Sequence, residues 1–281
     1  MVGKILIPEI QSLIKARDFA GLRELFSEWP PADVAEVIVD MPEDDRVIIF
    51  RVLPAALAAD VFEYLDVDSQ QSLLRCMAHE QVAAILNEMS PDDRTALLEE
   101  MPSAAARELI RLLTPEERRI AQALLGYPEG SVGRLMTPDF IAVREDWTVK
   151  EVLDFVREHG QDSETLNVIY VVDDRGKLID DLRIREFLLK PLTAKVSEIR
   201  DETFVALSVS DLQEEALNSF RKYDRIALPV VDSAGVLVGI VTSDDMLDVA
   251  EEQATEAIQK IGGMEALDEP YTTIPLLRMV K

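Results

Sequence analysis

Sulfur and imidazole ligands are scarce in this chain, which has one cysteine and two histidines among 281 residues. One cysteine cannot form an internal disulfide, and Cys76, His79 and His159 are too few for a structural zinc site. Cys76 lies in the apolar helical stretch SLLRCMA, so we expect a small core residue there. The sequence shows neither a signal peptide nor an apolar run of about 18 residues. We therefore expect a cytosolic chain that does not itself span a membrane.

Positive charge is also in short supply. The chain carries 29 Lys and Arg against 54 Asp and Glu, a formal net charge of -25, and acids are in excess in both halves. Because nucleic acids and anionic lipids are bound by basic patches, no nucleic-acid partner is expected. The charge favours cations as ligands, or serves solubility alone. No Lys or Arg lies between Arg225 and Lys260, where seven acids occur: Asp232, Asp244, Asp245, Asp248, Glu251, Glu252 and Glu256.

Catalytic signatures are missing as well. The sequence has no Walker sequence, no nucleophile elbow and no HExxH zinc helix. No set of nucleophile and base is evident, so an enzyme is the least supported class of function and we expect no catalytic activity.

Helix-start signals recur through the first half of the chain. Several of them read Pro followed by acids, as in MPEDDR, MSPDDR and LTPEER, a pattern typical of a first helical turn. This spacing predicts a stack of short paired helices, a solenoid that offers docking surfaces. The starts lie 11 to 13 residues apart, at Pro31, Pro42, Pro54, Val67, Ala78, Pro91, Pro102 and Pro115.

A second repeat fills the rest of the chain. IYVVDDRGKLIDDLRIREFLL matches LPVVDSAGVLVGIVTSDDMLD at an offset of 59 residues, and the helices upstream match at an offset of 64. The first copy thus has five extra residues, around GQDSETLN. Each copy is predicted to run helix, buried strand, turn, strand, helix, and two copies should pack into one α/β body.

These copies resemble a tandem pair of CBS domains, on LMTPDFIAV in the first and LPVVDSAGVLVGIVTSDDML in the second. With the helical repeat before them, and with GIVTSDDMLDVAEEQATEAIQKIGG, the chain resembles the cytosolic part of the MgtE family of magnesium channels. The resemblance implies an α+β protein that acts as a homodimer at the cytoplasmic face of the membrane, on a transmembrane domain that continues the chain. The expected domains are a helical N domain (1–128), CBS 1 (129–195), CBS 2 (196–250) and a connecting helix (251–281).

The resemblance also implies a Mg²⁺ sensor that closes the pore when cytosolic Mg²⁺ is high. A helix from about Thr242 would align its acids on one face, where like charges repel by about 0.2–0.5 kcal/mol per pair unless a cation intervenes. Mg²⁺ suits such sparse sites because it keeps several of its waters. The family's ion-contacting acids correspond to Asp60, Asp92, Glu214, Asp224, Asp245, Asp248 and Glu256.

A nucleotide is the alternative ligand. CBS domains that bind adenine nucleotides carry a glycine followed by Thr/Ser-x-x-Asp, which the second copy has as Gly239, Thr242 and Asp245. ATP could therefore be a co-ligand, or the chain a stand-alone CBS regulator that senses adenine nucleotides. Thr242 could equally be an ordinary helix N-cap.

Overall fold

The computed structural model describes residues 2–201 and 203–261, with side chains described for 6–201, 203–251 and 253–255. The first part is a succession of short helices in which most helices pack against the helix two positions further on, as in α3 on α5, α5 on α7 and α7 on α9. From α3 to α10, each helix starts at or one residue after a start predicted from the sequence, whereas α1 and α2 precede the first predicted start. The helices are α1 (Val2–Ala16), α2 (Phe19–Ser27), α3 (Pro31–Val39), α4 (Glu43–Val52), α5 (Ala55–Glu63), α6 (Val67–Cys76), α7 (His79–Glu88), α8 (Pro91–Glu100), α9 (Ser103–Leu112) and α10 (Pro115–Leu124).

The α/β part contains two copies of one unit. In the first, α11 (Val132–Leu135) leads to β1 (Ala142–Arg144), α12 (Val149–His159), β2 (Val168–Val172), β3 (Leu178–Arg183) and α13 (Ile184–Leu188). In the second, β4 (Leu207–Ser208) precedes α14 (Gln213–Tyr223), β5 (Ala227–Val231), β6 (Leu237–Thr242) and α15 (Ser243–Ile261). Short 3₁₀ turns lie at Gly160–Asp162 and Val196–Glu198. The α+β class is confirmed.

Each copy forms a three-stranded sheet of the same topology. β1 runs parallel to β2 and β2 antiparallel to β3, and β4, β5 and β6 repeat this order. Each hairpin turns on a glycine with positive φ, Gly176 at 77° and Gly235 at 80°, a conformation that side chains disfavour. The two turns bond reciprocally, because Leu178 N–H donates to the Gly235 carbonyl and Leu237 N–H to that of Gly176.

The helical part and the second α/β copy share packing. One core runs through the helices from Ile10 to Ala121. Leu124, at the end of α10, belongs instead to a cluster with Val132 and Met136 that reaches β5, β6 and α15 of the second copy. The helical part therefore joins the α/β part at a packed interface beside α8, α10 and α11.

One feature of the sequence interpretation is wrong. Cys76 is exposed rather than in the core, because it lies on the outer side of α6 next to Glu43. The domain bounds stay a prediction; α15 runs from Ser243 to Ile261, and residues 262–281 lie outside the described part of the chain. No helix within the described residues is both long and apolar enough to cross a membrane.

Candidate metal centre

An acidic cleft of about 910 Å³ opens between the helical part and the CBS-like copies. Its walls come from the ends of α5 and α7 and the start of α8 on one side, and from the 161–164 loop and the start of α15 on the other. Among the described residues, no Lys or Arg lines it. Twelve acids do: Asp60, Glu63, Glu88, Asp92, Asp93, Glu117, Asp139, Asp162, Glu164, Asp244, Asp245 and Asp248.

Asp92 is the most buried acid of the helical wall. It follows Ser90 and Pro91 in the first turn of α8, where the helix dipole favours a carboxylate. Its residue is only 7% exposed, and its Oδ1 has no hydrogen-bond partner. Burial raises the pKa of Asp92 well above its usual range, and the charges of Asp245, Asp93 and Glu164 raise it further. An unpartnered carboxylate oxygen inside a cleft of like charge is suited to receive a cation.

The start of α8 is held by two neighbouring acids. Glu63, from the end of α5, accepts a 3.0 Å hydrogen bond from Ser90 N–H. Asp93 accepts one of 2.8 Å from the Ser90 hydroxyl. Burial raises the pKa of Glu63 to about 7, with a contribution from Asp93, although the Ser90 bond lowers it. This wall therefore places the carboxyl groups of Glu63 and Asp93 close together although burial and mutual repulsion disfavour their charged forms.

The opposite wall begins at the N-terminus of α15. Asp245 accepts a 3.0 Å hydrogen bond from Thr242 N–H and lies 2.8 Å from the Thr242 hydroxyl, so it caps the helix. Burial nevertheless raises the pKa of Asp245 to about 7, and Asp244 and Asp93 also raise it. The pKa of Asp248 is raised by burial and then by Glu251 and Asp244. The two walls thus repel each other across the cleft.

Arg94 is a buried cation behind the cleft wall, where it pairs with Glu117. Arg94, on α8, is fully buried and donates to the carbonyls of Leu86 (3.0 Å) and Met89 (3.2 Å) and to the Glu117 carboxylate. Burial and Glu117 raise the pKa of Asp139 to about 6, while Arg94 lowers it. Arg94 therefore offsets the charge of Glu117 and part of the repulsion at Asp139, while no Lys or Arg among the described residues lines the cleft beside the remaining acids.

The acids surround the cleft rather than forming a cage. Within the described residues, no group of three or more Asp, Glu, His or Cys side chains is spaced to hold a metal ion. Mg²⁺ usually takes one or two carboxylates and keeps several waters, so it needs no such cage. The donor set, oxygen only, fits a hydrated hard cation and does not fit zinc.

The structure brings together four of the seven acids predicted from the sequence, Asp60, Asp92, Asp245 and Asp248. Glu214 and Asp224 lie elsewhere, exposed at the two ends of α14, with Asp224 as its left-handed C-cap. The Glu256 side chain lies outside the described residues. The sequence interpretation did not include Glu164 among the site acids. The five-residue insertion in the loop after α12 could have indicated it, because this loop places Glu164 on the cleft. Glu63 and Asp139 gave no comparable signal.

The residues proposed for a nucleotide have local contacts of their own. A Cβ on Gly239 would lie 2.7 Å from the Met136 sulfur and 2.9 Å from the Thr137 carbonyl oxygen, so glycine permits close approach of β6 to this segment. Thr242 is 5% exposed and its hydroxyl contacts Asp244 and Asp245. These contacts account for Gly239 and Thr242 without a ligand, and the nucleotide role stays a prediction.

Comparison with known proteins places this architecture in a family. The MgtE intracellular N domain family matches residues 29–130, and the CBS domain family matches 132–190 and 196–252. The magnesium transporter MgtE of Thermus thermophilus is 37% identical over 95% of this chain and 60% of its own length, and that of Bacillus subtilis is 30% identical over 88% and 54%. The chain thus spans little more than half of these relatives.

Solved structures match over almost their full extent. The cytosolic domain of the Mg²⁺ channel MgtE in complex with ATP is 37% identical, with a TM-score of 0.81 over 85% of this chain and 98% of that one. The soluble part of a magnesium transporter is 26% identical, with a TM-score of 0.84 over 90% and 99%. The chain belongs to the MgtE family, as an MgtE N domain followed by a CBS pair.

Proposed function

We propose that this chain is the Mg²⁺-sensing cytosolic regulatory part of an MgtE-type magnesium transporter, and that it senses the ion at the acidic cleft. The observation that carries the proposal is the buried Asp92, whose Oδ1 has no partner and which shares with Asp245 a cleft that no Lys or Arg of the described residues lines. Asp60 and Asp248 contribute charge to the same cleft. Glu214, Asp224 and Glu256 are proposed as contacts of further ions near α14 and α15.

The proposed mechanism is a two-state equilibrium biased by the ion. Two carboxylates about 7 Å apart repel by roughly 2 kcal/mol at an effective dielectric constant of ~20. About three such pairs supply the ~5.5 kcal/mol that converts a 1:99 population into 99:1. With Mg²⁺ bound, the N domain and the CBS pair stay together and the pore of the transporter closes. Without it, repulsion separates them and the pore opens.

Limited proteolysis with and without millimolar Mg²⁺ tests this proposal. Mg²⁺ should protect wild-type sites within 200–260, and Asp245→Asn with Asp248→Asn should abolish the protection. A matched control removes two exposed acids of the N domain outside the cleft, with Glu36→Gln and Glu80→Gln. Equal protection of wild type in Mg²⁺ and in chelator would refute the proposal.

ATP is a second proposed ligand, because the relative of 37% identity has been solved in complex with ATP. In this chain the nucleotide would contact the CBS pair at Gly239, Thr242 and Asp245. The same proteolysis with ATP in chelator distinguishes the roles. Protection by ATP alone, with no Mg²⁺ effect, would favour the stand-alone nucleotide sensor.

The proposed setting is the cytoplasmic face of the membrane, with the module acting on a membrane-spanning pore. We also propose that two copies associate through their CBS pairs. Large apolar side chains at the end of the first copy, Leu188, Leu189 and Leu192, are 55–76% exposed and offer surface for such contact. Light scattering coupled to size exclusion should therefore give twice the chain mass of 31.5 kDa.

A further inference from the structure

The acidic cleft is lined by residues of the first CBS copy as well as of the second. The loop that carries the residues of the first copy is fixed by hydrogen bonds of its own. The loop after α12 is five residues longer than the equivalent loop after α14, since eight residues separate α12 from β2 and three separate α14 from β5. The longer loop places Asp162 and Glu164 on the cleft.

Hydrogen bonds join this loop to the segment around Asp139, and that segment in turn pairs with β6 of the second copy. Glu164 N–H donates 2.8 Å to the carbonyl of Asp139, and the Ser163 hydroxyl donates 3.3 Å to the same oxygen. Two residues earlier, Thr137 exchanges two 2.9 Å backbone bonds with Ile240 on β6. β6 ends at Thr242, directly before the α15 acids. A chain of backbone hydrogen bonds through Asp139, Thr137 and Ile240 therefore links Glu164 to the strand that precedes Asp245.

Glu164 faces the buried acid of the N domain. Among the charges that act on Asp92 are those of Asp245 and Glu164, one from each CBS copy. Asp92 has an unpartnered oxygen and lines the same cleft as both of these acids. Glu164 has no basic partner among the described residues, and its side chain is open to the cleft.

Resting on the proposed function, we infer that Glu164 is a further anionic contact of the cleft cation, so that a hydrated divalent ion is shared by the N domain and both CBS copies. The insertion in the first copy then has a role, because it adds carboxylates of the first copy to a site otherwise formed by acids of α8 and α15.

Calorimetric titration with MgCl₂ tests this inference on the whole chain. Glu164→Gln should weaken Mg²⁺ binding by about tenfold or more, the scale seen when groups that support a metal are lost. Glu158→Gln, an exposed acid at the end of α12 outside the cleft, removes the same charge and should bind like wild type. Melting in chelator shows whether each variant is folded, and Glu164→Gln should be no less stable than wild type.

A distance measurement adds a readout independent of affinity. In a Cys76→Ser background, spin labels at Ala84→Cys on α7 and Thr193→Cys in the first copy report the separation of the N domain from CBS 1. Both positions are exposed. The distribution of distances between the two labels should narrow to one distance in wild type as the Mg²⁺ concentration rises. Glu164→Gln should need about tenfold more Mg²⁺ for the same narrowing.

The outcomes separate the two proposals. If wild type responds to Mg²⁺ and Glu164→Gln titrates like Glu158→Gln, the inference is overturned and the proposed function stands. If wild type itself neither binds Mg²⁺ nor narrows, both are overturned. A loss confined to Glu164→Gln supports the inference.

Discussion

Replacing Asp92 by asparagine should stabilise the protein when divalent cations are absent. The Asp92 residue is 7% exposed, its Oδ1 has no partner, and Asp245, Asp93 and Glu164 all repel its charge. An unsatisfied buried polar group costs about 1–3 kcal/mol, and a charged one costs more. An asparagine amide carries no charge and can donate to the facing carboxylates. We therefore expect Asp92→Asn to gain ~1–3 kcal/mol in chelator, or roughly 2–10 °C in melting temperature.

The assay is thermal or urea unfolding in chelator at about pH 8 and again near pH 5. Because the pKa of Asp92 is raised in the fold, wild type takes up a proton at this site as the pH falls and recovers stability. The advantage of Asp92→Asn should therefore shrink towards low pH. Millimolar Mg²⁺ should stabilise wild type at about pH 8 and the variant much less.

Asp68→Asn is the matched control. Asp68 occupies the second position of α6, as Asp92 does in α8, but it is exposed. Its replacement loses only a favourable helix-dipole interaction, so the variant should be ~0.3–1 kcal/mol less stable at every Mg²⁺ concentration. If Asp92→Asn were also destabilised in chelator, Asp92 would be an ordinary helix-start residue. The argument for a cation at the cleft would then lose its main support.

Three further predictions follow from the same contacts. Burial holds the pKa values of Glu63 and Asp245 near 7 in the fold, against ordinary values of 4.5 for Glu and 3.8 for Asp. The folded state then binds more protons, so urea unfolding in chelator should show stability falling as pH rises from about 4 to about 7, and a rise would contradict this. Arg94→Met should cost about 3–5 kcal/mol in urea unfolding, because it leaves Glu117 and two carbonyls without their buried cation; a loss below 1 kcal/mol would show water replacing it. Gly239→Ala should lower the melting temperature without any nucleotide present, since its Cβ would lie 2.7 Å from a sulfur and 2.9 Å from a carbonyl oxygen, and about 1–3 kcal/mol is expected.

The fold was largely predictable because its signals are local and repeated. Pro-acid starts specify single helices, and their even spacing predicts stacking against like neighbours. The offsets of 59 and 64 residues recur in the structure, since β2 and β5 begin at Val168 and Ala227, and α12 and α14 at Val149 and Gln213. Cys76 was misplaced because apolar neighbours in sequence do not say which side of a short helix a residue occupies.

The site was predictable only where the acids belong to one helix or match the family's pattern. Spacing along α15 pointed to Asp245 and Asp248, and the resemblance to Asp60 and Asp92. Glu63 escaped because its role depends on Ser90, 27 residues away, which no periodicity connects to it.

The sequence predicts repulsion along one helix, and the structure adds repulsion between the two walls of the acidic cleft. Asp245 accepts a hydrogen bond from Thr242 N–H at the start of its own helix, yet burial, Asp244 on the same helix and Asp93 on the opposite wall all raise its pKa. Asp93 is likewise bonded to Ser90 and repelled by Asp248 and Asp244 across the cleft. Repulsion within a helix only lowers local stability, whereas repulsion between walls acts on the separation of two domains. A cation that relieves the second kind therefore changes domain geometry, and a solvated acidic face could not do so.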